Sequence, residues 1–238
     1  MKILVINPNS TSSMTELIGT EARQAATADT VIVAVNPSEG PPAIQGALDG
    51  ENALPHLIAL FDRKLGEDQF DAEIVACFDD TGLWELKKRS TIPVVGIGEA
   101  AFHAAMLLGE RFTVVTTLGV AVPVIKQNIV QQGIMSRCAA VRASEIPVLE
   151  LEADPHSSRK RIAAEISEAL QSEQCDAVVL GCAGMADIAS SLQQDFSIPV
   201  IDGVKAAVGL CEMLYRLEPQ VPSGSSTGPT PSVGPVSG

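Results

Sequence analysis

The chain has 238 residues, of which 46% are hydrophobic and only 3% aromatic, and it carries a formal net charge of −13. This composition fits an aliphatic globular chain with one large or two small cores, and argues against disorder or a disulfide scaffold. Acidic chains repel phosphate backbones and anionic lipid surfaces, so neither nucleic acid nor a membrane is an expected partner.

The chain enters at once into Lys2-Ile3-Leu4-Val5-Ile6. That run is too short for a signal-peptide core, and no small-residue cleavage site follows it. No apolar run approaches the roughly 20 residues that a spanning helix needs. A cytoplasmic location is expected, with Cys77, Cys138, Cys175, Cys182 and Cys211 as free thiols. None forms a Cys-x-x-Cys pair, so a zinc knuckle is not expected.

Short apolar runs predict strands at residues 3–6, 31–35, 73–77, 93–97, 112–116, 139–142, 177–181 and 199–201. Longer amphipathic stretches predict helices at 12–26, 51–65, 99–108, 121–132, 157–172, 186–194 and 204–217. Such alternation predicts an α/β fold of mainly parallel sheets covered by helices on both faces.

The two halves look alike. Asp71-Ala72-Glu73-Ile74-Val75-Ala76-Cys77 matches Asp176-Ala177-Val178-Val179-Leu180-Gly181-Cys182, with the cysteines 105 positions apart. Ile92-Pro93-Val94 matches Ile198-Pro199-Val200, and Lys2–Ile6 resembles Arg111–Val115. Matches in the same order at nearly constant offset argue for internal duplication. Two similar lobes are therefore expected, residues 1–97 plus 205–218 and residues 98–204, with the site between them. Residues 219–238 hold only Pro, Gly, Ser, Thr, Val and Gln and are expected to form a flexible tail.

Ligands of open α/β sheets sit beyond the carboxyl ends of the strands. Cys77 and Cys182 both fall there, each followed by turn residues and an expected helix start. Free N–H groups and the positive helix end are expected to lower the pKa of a thiol so placed. A single such cysteine is more often a small buried hydrophobe; it is the repeat-equivalent pairing that singles these two out. Cys138, Cys175 and Cys211 have no counterpart and are read as structural.

Two equivalent thiols across a cleft suit inversion of a carbon centre, one removing a proton and the other delivering one. Donors for the intermediate are sought at the other strand ends. There lie Asn7-Pro8-Asn9-Ser10-Thr11, with Asn9 the foremost ligand contact, and Thr116-Thr117. Helix capping by Ser10, Thr11 or Thr117 is the competing reading. His56, His103 and His156 lack ligand spacing, and Asp79-Asp80 reads as a turn rather than a metal site. Gly96-Ile97-Gly98 is a fragment without the third glycine of a phosphate loop. No metal and no cofactor is expected.

MKILVINPNST, VACFDDTGL, FTVVTTL, VVLGCAGM and IPVIDGV together resemble the aspartate/glutamate racemase superfamily, most closely its hydantoin racemase branch, with allantoin racemases next. The resemblance covers residues 1 to about 217. It implies a two-lobed fold with Cys77 and Cys182 as catalytic acid/bases. It also implies substrate contacts at Asn9, Phe78, Asp79, Thr116, Thr117, Ala183 and Gly184, and a substrate-side loop at 41–46 that includes Ile44. Many relatives are acidic where this chain has Gln45. Amino-acid racemases of the superfamily carry polar pairs after both cysteines. Here Phe78-Asp79 and Ala183-Gly184 stand there, which suits an uncharged cyclic imide. The related arylmalonate decarboxylases keep only the second cysteine.

The expectation is a cofactor-independent racemase of 5-monosubstituted hydantoins. Its expected partners are a small cyclic imide or ureide and further copies of the chain in a homo-oligomer. The alternatives are an allantoin or aspartate/glutamate-type racemase, and a two-lobed binding protein that performs no chemistry.

Overall fold

The computed structural model describes residues 1–217, so the expected tail at 219–238 lies outside the described residues. Eight strands form two four-stranded, all-parallel sheets. The first contains β1 (Lys2–Ile6), β2 (Val31–Val35), β3 (Ala72–Val75) and β4 (Val94–Gly96), in the order β2-β1-β3-β4. The second contains β5 (Phe112–Thr116), β6 (Cys138–Ala143), β7 (Ala177–Gly181) and β8 (Val200–Asp202), in the order β6-β5-β7-β8. The topology is the same, and the strands are short, nearly continuous apolar runs, as parallel strands covered on both faces require.

The duplication is also written in the hydrogen bonds. Asp71 N–H donates to the Lys2 carbonyl as Asp176 N–H does to that of Arg111. In return, Lys2 N–H donates to the Asp71 carboxylate and Arg111 N–H to that of Asp176. Glu73 N–H donates to the Pro93 carbonyl as Val178 N–H does to that of Pro199.

The helices are α1 (Ser12–Ala25), α2 (Ala47–Glu67), α3 (Leu83–Arg89), α4 (Ile97–Leu108), α5 (Val122–Gln131), α6 (Glu150–Ala153), α7 (Pro155–Ser172), α8 (Ala186–Gln193) and α9 (Gly203–Leu217). Among the described residues, none is long and apolar enough to cross a membrane. Two helices escape the sequence pattern. α3 is seven residues long and ends in Lys87-Lys88-Arg89, so only Leu83 and Leu86 mark its buried face. α6 is a single turn. α2 begins four residues earlier than expected and runs through Pro55. Periodicity is too weak over one or two turns to register short helices.

Three cores hold the layers. The outer face of the first sheet packs Leu4, Ile6 and Val75 against Leu57, Leu60 and Phe61 of α2 and Leu83 and Leu86 of α3. The outer face of the second packs Val115, Val178 and Leu180 against Ile162 and Ile166 of α7 and Leu192 of α8. The largest core lies between the sheets. It joins Val5 and Ile74 to Val114 and Val179 through Ile18 of α1, Phe102 of α4 and Val204 and Val208 of α9. α4 and α9 lie against each other there, and each touches strands of both sheets.

Candidate active site

The carboxyl ends of both sheets open on one cleft, whose empty space of about 390 Å³ includes its open mouth. Cys77 comes to it from the first sheet and Cys182 from the second, both half-buried. The predicted contacts Asn9, Ile44, Phe78, Asp79, Thr116, Thr117 and Ala183 line the same space. Gly184 stands just behind, its N–H favouring the Cys182 thiolate. Cys138 and Cys211 are buried in the central core and Cys175 is half-buried; none of the three lines the cleft.

The two thiol turns share one design. The carbonyl of Cys77 accepts from Asp80 N–H at 3.0 Å and that of Cys182 from Met185 N–H at 3.1 Å. The N–H two residues on, from Asp79 or Gly184, favours the thiolate in each case. Cys77 has a further partner, the Thr81 hydroxyl at 3.7 Å.

Contrary to the expectation from position alone, neither thiol has a lowered pKa. Burial pushes Cys77 well above the ordinary thiol range, and the Asp79 charge adds to this. Burial pushes Cys182 up to about 12, with Asp79 again adding to the rise. Desolvation outweighs one N–H each because the regular helices start late. α3 begins six residues beyond Cys77, and a 3-10 turn at Ala183–Met185 separates Cys182 from α8.

Around the thiols, much of the polar chemistry is already engaged. The Asn9 side-chain oxygen accepts from Thr11 N–H and Asn7 Nδ2, each at 2.9 Å. The Thr116 hydroxyl donates to the Gly181 carbonyl at 2.8 Å. Ser10 and Thr11 do not cap α1 by side chain. Their hydroxyls instead donate to the carbonyls of Gly40 and Pro42, fixing the 41–46 loop over the cleft. Gly46 at the loop's end has φ 107°, and a Cβ there would lie 2.8 Å from the Val120 carbonyl, so the tight closure requires glycine. The Gln45 side-chain oxygen accepts from Val148 N–H at 2.9 Å, joining the loop to the other lobe. Phe78 meets Phe102 edge-on at 5.5 Å, and Phe102 stacks on Phe112 at 5.6 Å. This aromatic row braces the Cys77 turn against the second sheet.

The Asp79-Asp80 pair divides its work. Asp80 turns away from the cleft and accepts from Gly98 N–H at 3.0 Å and Glu99 N–H at 2.8 Å, in the first turn of α4. The two glycines of Gly96-Ile97-Gly98 leave room for it: a Cβ on Gly96 would fall 2.1 Å from Asp80 Oδ1. Among the described residues, no group of three His, Cys, Asp or Glu could hold a metal ion.

The sequence reading did not reach Met14, Ala121 and Val148, which supply apolar wall. The duplication carried a signal for one of them. Val148 follows β6 much as Ile44 follows β2, and the two lie 104 positions apart, close to the cysteine offset.

Fold and cleft together define a two-lobed, duplicated α/β protein that sets one thiol from each half into a shared pocket. The chain belongs to the Asp/Glu/Hydantoin racemase family, whose model matches residues 3–211, and is a racemase-type isomerase. It is 41% identical over 215 residues to a hydantoin racemase of Rhizobium meliloti, covering 90% of this chain and 88% of that one. To a hydantoin racemase of Paenarthrobacter aurescens it is 36% identical over 226 residues, covering 95% and 96%. The solved allantoin racemase from Klebsiella pneumoniae superposes with a TM-score of 0.88 at 39% identity, over 91% of this chain and 88% of that one.

Proposed function

We propose that this chain inverts the C5 centre of 5-monosubstituted hydantoins by two-base proton transfer between Cys77 and Cys182, without a cofactor. The observation that carries the reading is the pair of repeat-equivalent thiols, one from each sheet, lining a single cleft. One sulfur, as thiolate, removes the C5 proton. The carbanion flattens and spreads its charge onto the adjoining ring carbonyl. The other sulfur, as thiol, returns a proton to the opposite face, so the pair exchanges protonation states and the reverse reaction starts from the product. Raised pKa values make each thiolate a strong base at the cost of its population, which suits the weakly acidic C–H of a ring carbon.

The choice of a neutral ring is supported by the lining, which among the described residues includes no Lys, Arg or His to grip a substrate carboxylate. Met14, Ile44, Ala121 and Val148 offer an apolar wall to the group on C5. That wall favours apolar substituents over the ureido group of allantoin. The family's range and the allantoin racemase likeness make allantoin the substrate to run beside it.

The test follows the loss of optical rotation of an enantiopure 5-alkylhydantoin, with allantoin and glutamate in parallel. Racemisation of the hydantoin accompanied by solvent deuterium uptake at C5 supports the reading. Activity on glutamate alone, or binding with the C5 proton retained, overturns it.

A further inference from the structure

Asp79 occupies an unusual position. It is only 8% exposed, yet it lines the same cleft as the two thiols, and its charge disfavours both thiolates. Its Oδ2 is buried without a hydrogen-bond partner. The groups that act on the carboxyl are the Gly46 N–H and, repulsively, the Asp49 carboxylate of α2; no cation is among them. Burial pushes it up to about 7. The main chain of Asp79 is pinned by Asn128 of α5, whose Nδ2 donates to its carbonyl at 2.8 Å. A buried acceptor left open at a fixed position is a cost that a donor from the ligand removes.

Resting on the two-thiol reading of the cleft, we infer that Asp79 is the specificity-determining residue of this site: its open oxygen accepts a ring N–H of a neutral imide or ureide, and its charge expels substrates that carry a carboxylate. The two effects select the same class. A cyclic ureide brings N–H donors and no charge. An amino acid or an opened N-carbamoyl acid brings an anion next to a buried carboxyl with no cation on the lining to offset it. Specificity of this kind comes from rejection as much as from attraction. The repeat-equivalent turn, Ala183-Gly184, has no side chain that could do either.

The experiment compares wild type, Asp79→Ala and Asp79→Asn above pH 7, where the Asp79 carboxyl is ionised. Unsubstituted hydantoin and an N-carbamoyl amino acid are the binding probes, read by titration calorimetry, and an enantiopure 5-alkylhydantoin and its N1- and N3-methyl derivatives are the substrates. Asp79→Ala is expected to weaken hydantoin binding and raise KM about 10- to 100-fold, as loss of a bond to a charged group does. With the methyl derivative that cannot donate to Asp79, the difference in KM between wild type and Asp79→Ala is expected to vanish. Asp79→Asn keeps shape and an acceptor but removes the charge, and is expected to bind the N-carbamoyl acid at least about 10-fold tighter than wild type. Unchanged hydantoin binding in Asp79→Ala together with unchanged carboxylate binding in Asp79→Asn overturns the inference. Calorimetry reads both arms without turnover. A wild type that binds hydantoin through Asp79 but does not racemise the 5-alkylhydantoin therefore counts against the two-base reading and leaves the Asp79 assignment standing.

Discussion

The two halves solve one problem in two ways. Each must satisfy the N–H groups that open the helix after its fourth strand. In the second half Asp202, the last residue of β8, accepts from Val204 N–H at 2.9 Å and so serves α9 from its own strand end. In the first half the equivalent position is Gly96, and the carboxylate arrives from Asp80 on the Cys77 turn. The Cys77 turn is thereby drawn onto α4 and filled with polar residues, whereas the Cys182 turn is free to shrink to Ala183-Gly184-Met185. A duplicated scaffold fixes where two thiols stand; where the capping carboxylate resides decides how polar each thiol's surroundings become.

The largest effect is expected where the halves agree. Cys77→Ala and Cys182→Ala should each lower racemisation of an enantiopure hydantoin by at least about 10³-fold, within the range of a lost general acid–base group. Full activity in either variant, measured by polarimetry, would break the equivalence of the two walls.

Next come substitutions that copy one half into the other. Gly98 corresponds to Val204, which accommodates its side chain in the core. A Cβ on Gly98 would lie 2.6 Å from the Phe78 carbonyl and 2.9 Å from Asp80 Oδ2. Gly98→Ala should therefore cost about 1–3 kcal/mol in chemical denaturation and reduce activity through the displaced Cys77 turn. An unperturbed variant would show that the Asp80 contact is dispensable.

The smallest effect concerns Glu73, which stands in β3 where β7 has Val178. Glu73 is 1% exposed, and burial raises it from 4.5 to about 7 against the lowering effect of the nearby Ser90 hydroxyl. The folded state binds this proton more tightly than the unfolded chain. The contribution to stability is full below about pH 4.5 and is lost as pH rises through about 7. Glu73→Gln should flatten the decline in Tm between those limits. A thermal-melt series in which the variant and wild type decline in parallel would remove Glu73 as the cause.

Much of this architecture was legible before any coordinates. Eight strands, the repeat and the two thiol positions follow from apolar runs and offsets, because parallel strands are written as short hydrophobic blocks. The pKa direction of the thiols was not legible. It depends on how deeply α4, α5 and the 41–46 loop bury the turns, and that is a property of packing rather than of neighbours in sequence. The split roles of Asp79 and Asp80 were hidden for a related reason. Adjacent carboxylates look alike on paper, and only the approach of Gly98 and Glu99 from a distant segment tells them apart. Val148 was within reach had the repeat been extended to the loops.

The middle layer shared by both sheets has a consequence for ligand traffic. α1, α4 and α9 fill the space between the two sheets, so any movement of one half against the other would have to disturb the central core. At the rim of the cleft the Gln45–Val148 bond ties the 41–46 loop to the other half. A ligand whose passage required that bond to part would be limited in its rate of escape rather than at the sulfurs.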